Sequence, residues 1–328
     1  MSIDEIFVNF ARKSVLVVGD LMIDAYIWGK VERISPEAPV PVVHVRKSEY
    51  RLGGAANVAK NLVALGAKTA IAGVIGDDSE GQIMCELLAE EGIAHDFVVT
   101  DLQRPTTVKQ RVIAHAQHLL RIDKETDKEI SSETSDEIFE RISAHLSKFD
   151  AIIFEDYDKG VLSEVLIQKI ITLAQKLQIP TIVDPKKRNF KSYRGATLFK
   201  PNLKELREGL HGDFNPLAAD FEEMLQKAKT SLAVENLMVT LSEEGVAFVE
   251  NSGKYGKISA HKREIADVSG AGDTVVAVAA LCAAMRLPLS FTADVSNLAG
   301  GLVCEFSGVV PVSKKDLLNE AKLKIRSL

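Results

Sequence analysis

Short apolar runs rich in Val and Ile recur along this chain, separated by longer stretches whose apolar residues fall on one helical face. Val15 to Gly19, Thr69 to Ile75, Ala151 to Phe154, Thr181 to Val183 and Leu237 to Leu241 are too continuously apolar for half-exposed strands. Runs of this kind, closed by Gly, Asp or Thr, predict strands covered on both faces. Val58 to Leu65, Gly81 to Glu91, Ser132 to Ser147, Glu164 to Leu177 and Phe221 to Leu232 carry the helical period. Their alternation predicts an α/β fold, a doubly wound, mostly parallel sheet flanked by helices. Ligands in such sheets bind beyond the carboxyl ends of the strands, where Asp20, Asp24, Glu155, Asp156, Asp184 and Thr240 fall.

Two regions break the alternation. Val40 to Arg46, and Thr106 to Ile113 followed by Gln117 to Asp123, alternate apolar with polar residues as half-exposed antiparallel strands do. With Tyr26 to Gly29 they predict a small accessory sheet drawn from about residues 25–50 and 97–123. It is too small for a core of its own, so we expect it to cover the active-site mouth of a single domain spanning residues 1–328. Its apolar face would be left in water, and pairing with a second copy would bury it, which predicts a homodimer. No internal repeat, low-complexity segment or linker marks a second domain.

Composition narrows the class without identifying it. With 328 residues, 46% hydrophobic and 26% charged, the chain can bury a large core. A net charge of −6 gives no support to nucleic acid or an anionic membrane as the main partner. Cys85, Cys282 and Cys304 are isolated and read as reduced core thiols. Met1 to Arg12 lacks the basic start and long apolar run of a signal peptide. The 12 residues from Thr274 to Met285 fall short of the ~20 needed to span a bilayer. The expected location is the cytoplasm.

The densest chemical signal is the run Asp267, Val268, Ser269, Gly270, Ala271, Gly272, Asp273, Thr274, which opens the almost wholly apolar helical stretch Val275 to Met285. Backbone N–H groups of Gly270, Ala271 and Gly272 would converge with the positive end of the helix dipole and make a site for negative charge. A carboxylate in the same turn opposes such an anion unless it is there to take a proton, so Asp273 reads either as a general base or as a plain helix cap.

A second glycine cluster, Gly53-Gly54-Ala55-Ala56-Asn57, opens another helix. Together the two clusters resemble the paired signatures of the ribokinase-like (PfkB) carbohydrate kinases. Val17 to Asp24, Arg33 to Val42, Pro105 to Arg111, Asp156 to Gly160, Val183 to Lys186 and Lys200 to Glu205 are similar to the heptose-7-phosphate kinases of that family. The glycine signatures mark the superfamily, and Ser35-Pro36-Glu37-Ala38-Pro39-Val40-Pro41-Val42 narrows the likeness to the heptose enzymes. In the family the accessory sheet is a lid.

The resemblance implies an ATP-dependent transfer of the γ-phosphoryl group to the anomeric hydroxyl of D-glycero-D-manno-heptose 7-phosphate, feeding ADP-heptose and lipopolysaccharide inner-core synthesis. It makes Asp273 the catalytic base and Gly270, Ala271 and Gly272 the anion hole. Asn202 and Glu205 match the motif that organises Mg²⁺ and its waters; a capping box at a helix start is the plainer reading, and both can hold at once. Asp24, Gly53, Gly54 and Asn57 match sugar-contacting positions, against readings as a turn residue and a helix cap. Asp156 and Lys159 are placed to face the same cleft, though Lys159 reads equally as a solvated loop residue. The sugar's existing phosphate requires cations on the lid side: Lys109, Arg111, Arg121 and Lys186 are the candidates, and Lys109 and Arg111 project from one strand face.

On the nucleotide side, Thr240, Ser242 and Gly245 resemble the loop beside the ATP phosphates, and Asn297, Ala299 and Gly300 the wall against adenine. The requirement for a monovalent cation stays open. His115 and His118 have the spacing of a metal pair but no third ligand, and read as surface residues. No His-x-Gly-His signature of a nucleotidyltransferase is present, so that later step is expected of a separate protein. A ribokinase-like kinase for another sugar or sugar phosphate would keep the same catalytic residues. An oxidoreductase lacks its Gly-x-Gly-x-x-Gly after the first strand, a P-loop kinase lacks its Gly-x-x-x-x-Gly-Lys-Ser/Thr, and a non-catalytic sensor would be expected to lose Asp273.

Overall fold

A computed structural model of the chain describes residues 1–115 and 117–325. Its larger sheet contains β1 (Ser14–Gly19), β4 (Lys68–Gly76), β5 (Ala94–Asp101), β8 (Ala151–Glu155), β9 (Thr181–Asp184), β10 (Leu198–Phe199), β11 (Asn236–Thr240), β12 (Val246–Val249) and β13 (Tyr255–Ile258). They run in the order β13-β12-β11-β10-β9-β8-β1-β4-β5, parallel from β11 to β5 and antiparallel at β12 and β13. This is the doubly wound α/β sheet that the alternating pattern predicts.

The register explains why the central strands read as unbroken apolar runs. Val15, Val17, Ile71, Ile153 and Ile182 point to one face; Leu16, Val18, Ala70, Ile152, Phe154 and Val183 point to the other. The first face is covered by α1 (Ile3–Phe10), α2 (Ala55–Ala64), α3 (Ser79–Glu90), α8 (Ala271–Ala284), α9 (Leu289–Val303) and α10 (Lys314–Lys324). The second is covered by α4 (Ser132–Ser143), α5 (Glu164–Lys176), α6 (Leu203–Leu210) and α7 (Phe221–Leu232). With helices on both sides no strand position needs to be polar. Among the described residues no helix is long and apolar enough to cross a membrane.

The smaller sheet has the order β3-β2-β6-β7, built from β2 (Leu21–Ile34), β3 (Pro41–Gly54), β6 (Thr107–Ala114) and β7 (Gln117–Lys124). Two boundaries differ from expectation. β2 and β3 are far longer than Tyr26 to Gly29 and Val40 to Arg46: β2 starts in the core and runs out into solvent, and β3 returns from solvent into the core. Residues 97–101 belong to β5 at the edge of the large sheet, where Phe97 and Val99 are buried, so the lid segment starts only at Thr107.

Cross-strand register gives the lid two unlike faces. Asp24 lies beside Arg51 and Lys109, and Tyr26 beside Glu49 and Arg111, so one face is charged. Ile27, Tyr50, Val112, Leu120 and Ile122 fall on the other, where Tyr50, Leu120 and Ile122 are exposed.

Asp78 fastens the lid to the body. It caps α3 through Gly81 N–H at 2.9 Å, accepts from the Thr106 hydroxyl and N–H at 2.6 and 3.0 Å, and pairs with Lys124 of β7 at 3.0 Å. Burial opposes its charge, yet the Thr106 and Lys124 hydrogen bonds carry its pKa from an ordinary 3.8 down to about 2. A depressed carboxylate pKa stabilises the folded state fully above its unfolded value. Asp78→Ala should therefore cost about 1–3 kcal/mol in denaturant unfolding at pH 7. That difference should shrink as the pH falls from about 4 toward about 2, and a constant difference over that window would contradict the assignment.

Candidate active site

Helix α8 sets the site. Its residues from Asp273 to Cys282 are all buried, as a helix apolar on every side must be, so its N-terminus cannot drift. Gly270, at φ 78°, is the N-cap; a Cβ there would lie 3.1 Å from Val309 Cγ1 and 3.3 Å from Asn57 Nδ2. The turn thus requires glycine for its backbone and for its neighbours. A Cβ on Gly272 would meet Asp184 Oδ2 at 3.7 Å and Lys200 Nζ at 3.9 Å, so this turn opens on a charged pair, although its Ala271 N–H is spent on Val268 O at 3.3 Å.

Asp273 is pinned from two sides. Asn57 Nδ2 donates to Oδ2 at 2.6 Å and Tyr157 OH donates to Oδ1 at 3.0 Å. Asn57 lies in the first turn of α2, whose N-cap Gly54 is at φ 57°. One turn later Asn61 Oδ1 accepts from Thr274 Oγ1 at 3.1 Å and from Val312 N–H at 3.0 Å, locking α2 to α8. The two glycine clusters of the sequence therefore meet through their polar side chains.

Three carboxylates gather here: Glu155 at the end of β8, Asp184 at the end of β9, and Asp273, each with a ligand atom within 4.8 Å of the others. Burial holds the Asp273 carboxyl above the usual carboxylate range, with Asn57 and Tyr157 pulling it back down. Burial, then Asp184 and Asp273, drive Glu155 well above its ordinary value. Lys200, 2% exposed, pairs with Asp184 Oδ2 at 2.9 Å, and Lys186 pairs with Glu205 Oε1 at 2.5 Å. Among the described residues both Glu155 oxygens and Asp184 Oδ1 are buried without a hydrogen-bond partner. Buried acceptors with surplus negative charge fit a hard divalent cation.

On the lid side, Asp24 of β2 is paired with Arg111, and a Cβ on Gly53 would come within 2.6 Å of Asp24 Oδ2. Asp24, Gly53, Gly54, Asn57 and Asp273 are therefore contiguous. Lys109 and Lys159 share Glu125, at 3.0 and 2.8 Å, and Arg121 pairs with Asp123 at 3.0 Å.

Asn202 and Glu205 form a capping box at the start of α6, with Asn202 Oδ1 accepting from Glu205 N–H at 2.9 Å and Glu205 Oε2 from Asn202 N–H at 2.8 Å. Glu205 Oε1 still reaches the cleft through Lys186. Thr240 sits beside Asn202 in a parallel bridge. Ser242 and Gly245 flank the short turn into β12, and a Cβ on Gly245 would lie 2.0 Å from Ile258 O, which makes that glycine a packing requirement.

Three expectations need correction. Lys186 is not on the lid side: it stands by Glu205 and Asp184, over the Tyr157 ring at 5.3 Å, because it follows directly on β9 of the large sheet, which ends at Asp184. Asp156 does not face the sugar cleft; it accepts from Tyr193 OH at 2.8 Å, Asn189 Nδ2 at 3.3 Å and Asp158 N–H at 2.9 Å. Burial, then Asp20, raises its pKa to about 6. Ala299 is fully buried within the packing of α9 and offers no wall to a nucleotide, as does Gly300 beside Val275; Asn297 alone of the three is partly exposed, donating to Ser259 O at 3.0 Å. His115 and His118 are exposed and join no metal-ligating group among the described residues.

Tyr157 and Lys200 went unremarked as site residues, and Glu155 and Asp184 were legible only as strand ends. Tyr157 is placed by Asp20, which accepts N–H groups of Tyr157, Lys159 and Val161 at 2.8, 3.1 and 3.1 Å.

Comparison with known proteins places the sequence and the fold in one family. The model of the pfkB family carbohydrate kinases matches residues 12–315. The chain is 42% identical over 314 residues to the D-beta-D-heptose 7-phosphate kinase of Bordetella bronchiseptica, covering 95% of this chain and 97% of that protein. It is 39% identical over 321 residues to the bifunctional protein HldE of Geobacter sulfurreducens, 97% of this chain but 64% of that protein. The chain thus spans under two thirds of the bifunctional relatives it matches. In fold it is similar to Escherichia coli phosphofructokinase-2 in complex with potassium, at TM-score 0.78 and 18% identity over 96% of this chain and 99% of that one. It is likewise similar to Arabidopsis thaliana ribokinase complexed with ribose and ATP, at TM-score 0.71 and 18% identity over 93% and 98%.

Tyr157→Phe removes a hydrogen bond that favours ionised Asp273. The acidic limb of kcat/KM against pH, set by a base that must be deprotonated, should move to higher pH. A limb that stays or moves to lower pH would remove Tyr157 from this role.

Proposed function

The chain belongs to the pfkB family of carbohydrate kinases, and from that premise we propose that it transfers the γ-phosphoryl group of ATP to the anomeric hydroxyl of D-glycero-D-manno-heptose 7-phosphate. The carrying observation is Asp273, buried at the mouth of the Gly270–Gly272 turn and oriented by Asn57 and Tyr157. A carboxylate oriented this way can take the proton of an attacking hydroxyl, while the turn's N–H groups receive the developing charge. Burial raises its proton affinity, which improves it as a base near neutral pH.

Asp24, the Gly53–Gly54 backbone and Asn57 would hold the sugar hydroxyls. Thr240, Ser242, Gly245 and Asn297 lie toward the nucleotide. Lys186 and Lys200 stand where polyphosphate charge would collect. Glu155 and Asp184, with Asn202 and Glu205 acting through water, are the residues that would hold Mg²⁺; bound there, it would neutralise the phosphate oxygens. The chain's own contribution is chiefly position and charge, as phosphoryl transfer requires.

The reaction belongs to the cytoplasm, upstream of the nucleotidyl transfer that yields ADP-heptose for the lipopolysaccharide inner core. The exposed apolar lid face bearing Tyr50, Leu120 and Ile122 pairs with its copy in a second chain.

Asp273→Asn should bind ATP normally while turnover falls by at least ~10²-fold, measured as ADP release; near-normal turnover would overturn the base. A panel of free and phosphorylated sugars should place heptose 7-phosphate first in kcat/KM, and a better alternative would replace it. Leu120→Lys with Ile122→Lys should shift sedimentation from dimer to monomer, and an unchanged dimer would exclude this face.

A further inference from the structure

Most cations on the charged lid face are already neutralised. Lys109 is held by Glu125 and Asp123, Arg121 by Asp123, and Lys159 by Glu125. Arg51 and Arg111 are ion-paired as well, to Glu49 and Asp24, but each keeps guanidinium nitrogens to spare. Arg51 spends only Nε, on Glu49 Oε1 at 2.5 Å, and Arg111 only Nη1, on Asp24 and Lys109 O. Among the described residues the two terminal nitrogens of Arg51 and the Nε and Nη2 of Arg111 have no hydrogen-bond partner.

Both guanidiniums lie against one ring. Arg51 Cζ is 4.8 Å and Arg111 Cζ 5.4 Å from the centroid of Tyr26, on the strand between theirs. Stacking on an aromatic face holds a guanidinium in place and leaves its edges free. Two like charges held near one another without a shared carboxylate suit an incoming anion. The free end of Arg51 also points toward the chemistry: Nη1 is 3.8 Å from where a Cβ on Gly308 would stand, and the next residue, Val309, leans on Gly270. Gly308, at φ 78°, puts no side chain between them.

Resting on the sugar-phosphate reading above, we propose that Arg51 and Arg111, held against Tyr26, clamp the phosphate the sugar already carries, and that Arg51 sets the preference for phosphorylated over free sugar. Planar forks approaching from two strands match the tetrahedral oxygens of a phosphate dianion. Lys109 and Arg121 serve as internal partners of the lid, and Lys186 belongs to the nucleotide side.

The test is steady-state kinetics of the full chain with heptose 7-phosphate and free heptose as acceptors. Arg51→Ala should raise KM for heptose 7-phosphate by about 10-fold or more, the loss typical of a charge-assisted contact. KM for free heptose and for ATP should stay within about twofold, and Arg51→Lys should recover part of the loss because charge returns without the fork. Equal changes for both sugars, or none for either, would overturn the clamp. Melting temperatures check that each variant is folded; should Arg51→Ala not fold, Arg51→Gln against Arg51→Lys gives the same comparison. Failure of the wider reading looks different, since wild-type protein would then show no turnover of heptose 7-phosphate at all.

Discussion

Surplus negative charge at a point sealed from water is the constraint around which this protein is built. Glu155, Asp184 and Asp273 converge at the carboxyl ends of β8 and β9 and the start of α8, a position that bare carboxylates could not share. Their company follows from that. Lys200 is buried against Asp184, Lys186 bridges to Glu205, and Gly272 in the first turn of α8 borders the Asp184–Lys200 pair, bringing the positive end of that helix to the same space. The remaining unpartnered oxygens are the kind of buried acceptors that a hard divalent cation satisfies.

Rigidity around Asp273 comes from the polar bridge between two helices. Asn57 and Asn61, one turn apart on α2, hold Asp273 and Thr274 at the start of α8. Each amide is buried and would be costly if left single, so the contacts enforce each other. Tyr157 adds a third anchor, placed by Asp20 through three backbone N–H groups. A base oriented from several directions loses little freedom when the acceptor arrives.

The lid carries a division of labour written into strand alternation. One face is charged and carries Asp24, Arg51 and Arg111; the opposite face is apolar and exposed. A register slip of one residue would exchange them, and Asp78, tying α3 to Thr106 and Lys124, holds the lid at its root.

Patterning alone determined the large sheet, the helices on its two sides, the existence of the lid and the two glycine turns, because these depend on local periodicity and on glycine's backbone freedom. The resemblance of the chain's motifs to the family, not residue type alone, assigned Asp273, Asn57 and Asp24 to one site. Only the tertiary structure decided which charges remain open. Asp156 and Ala299 have suitable identities and positions in the chain, yet one is consumed by Tyr193 and Asn189 and the other by helix packing. Lys186 stands by Glu205 and Asp184 rather than on the lid side for the same reason, and residues 97–101 joined the large sheet through pairing with β4. Tyr157 and Lys200 lie in segments like those of the family without a role being named for them there, and Arg51 lies in none. Their roles arise from partners far away in the chain, and distance through space between remote segments is what a linear pattern does not encode.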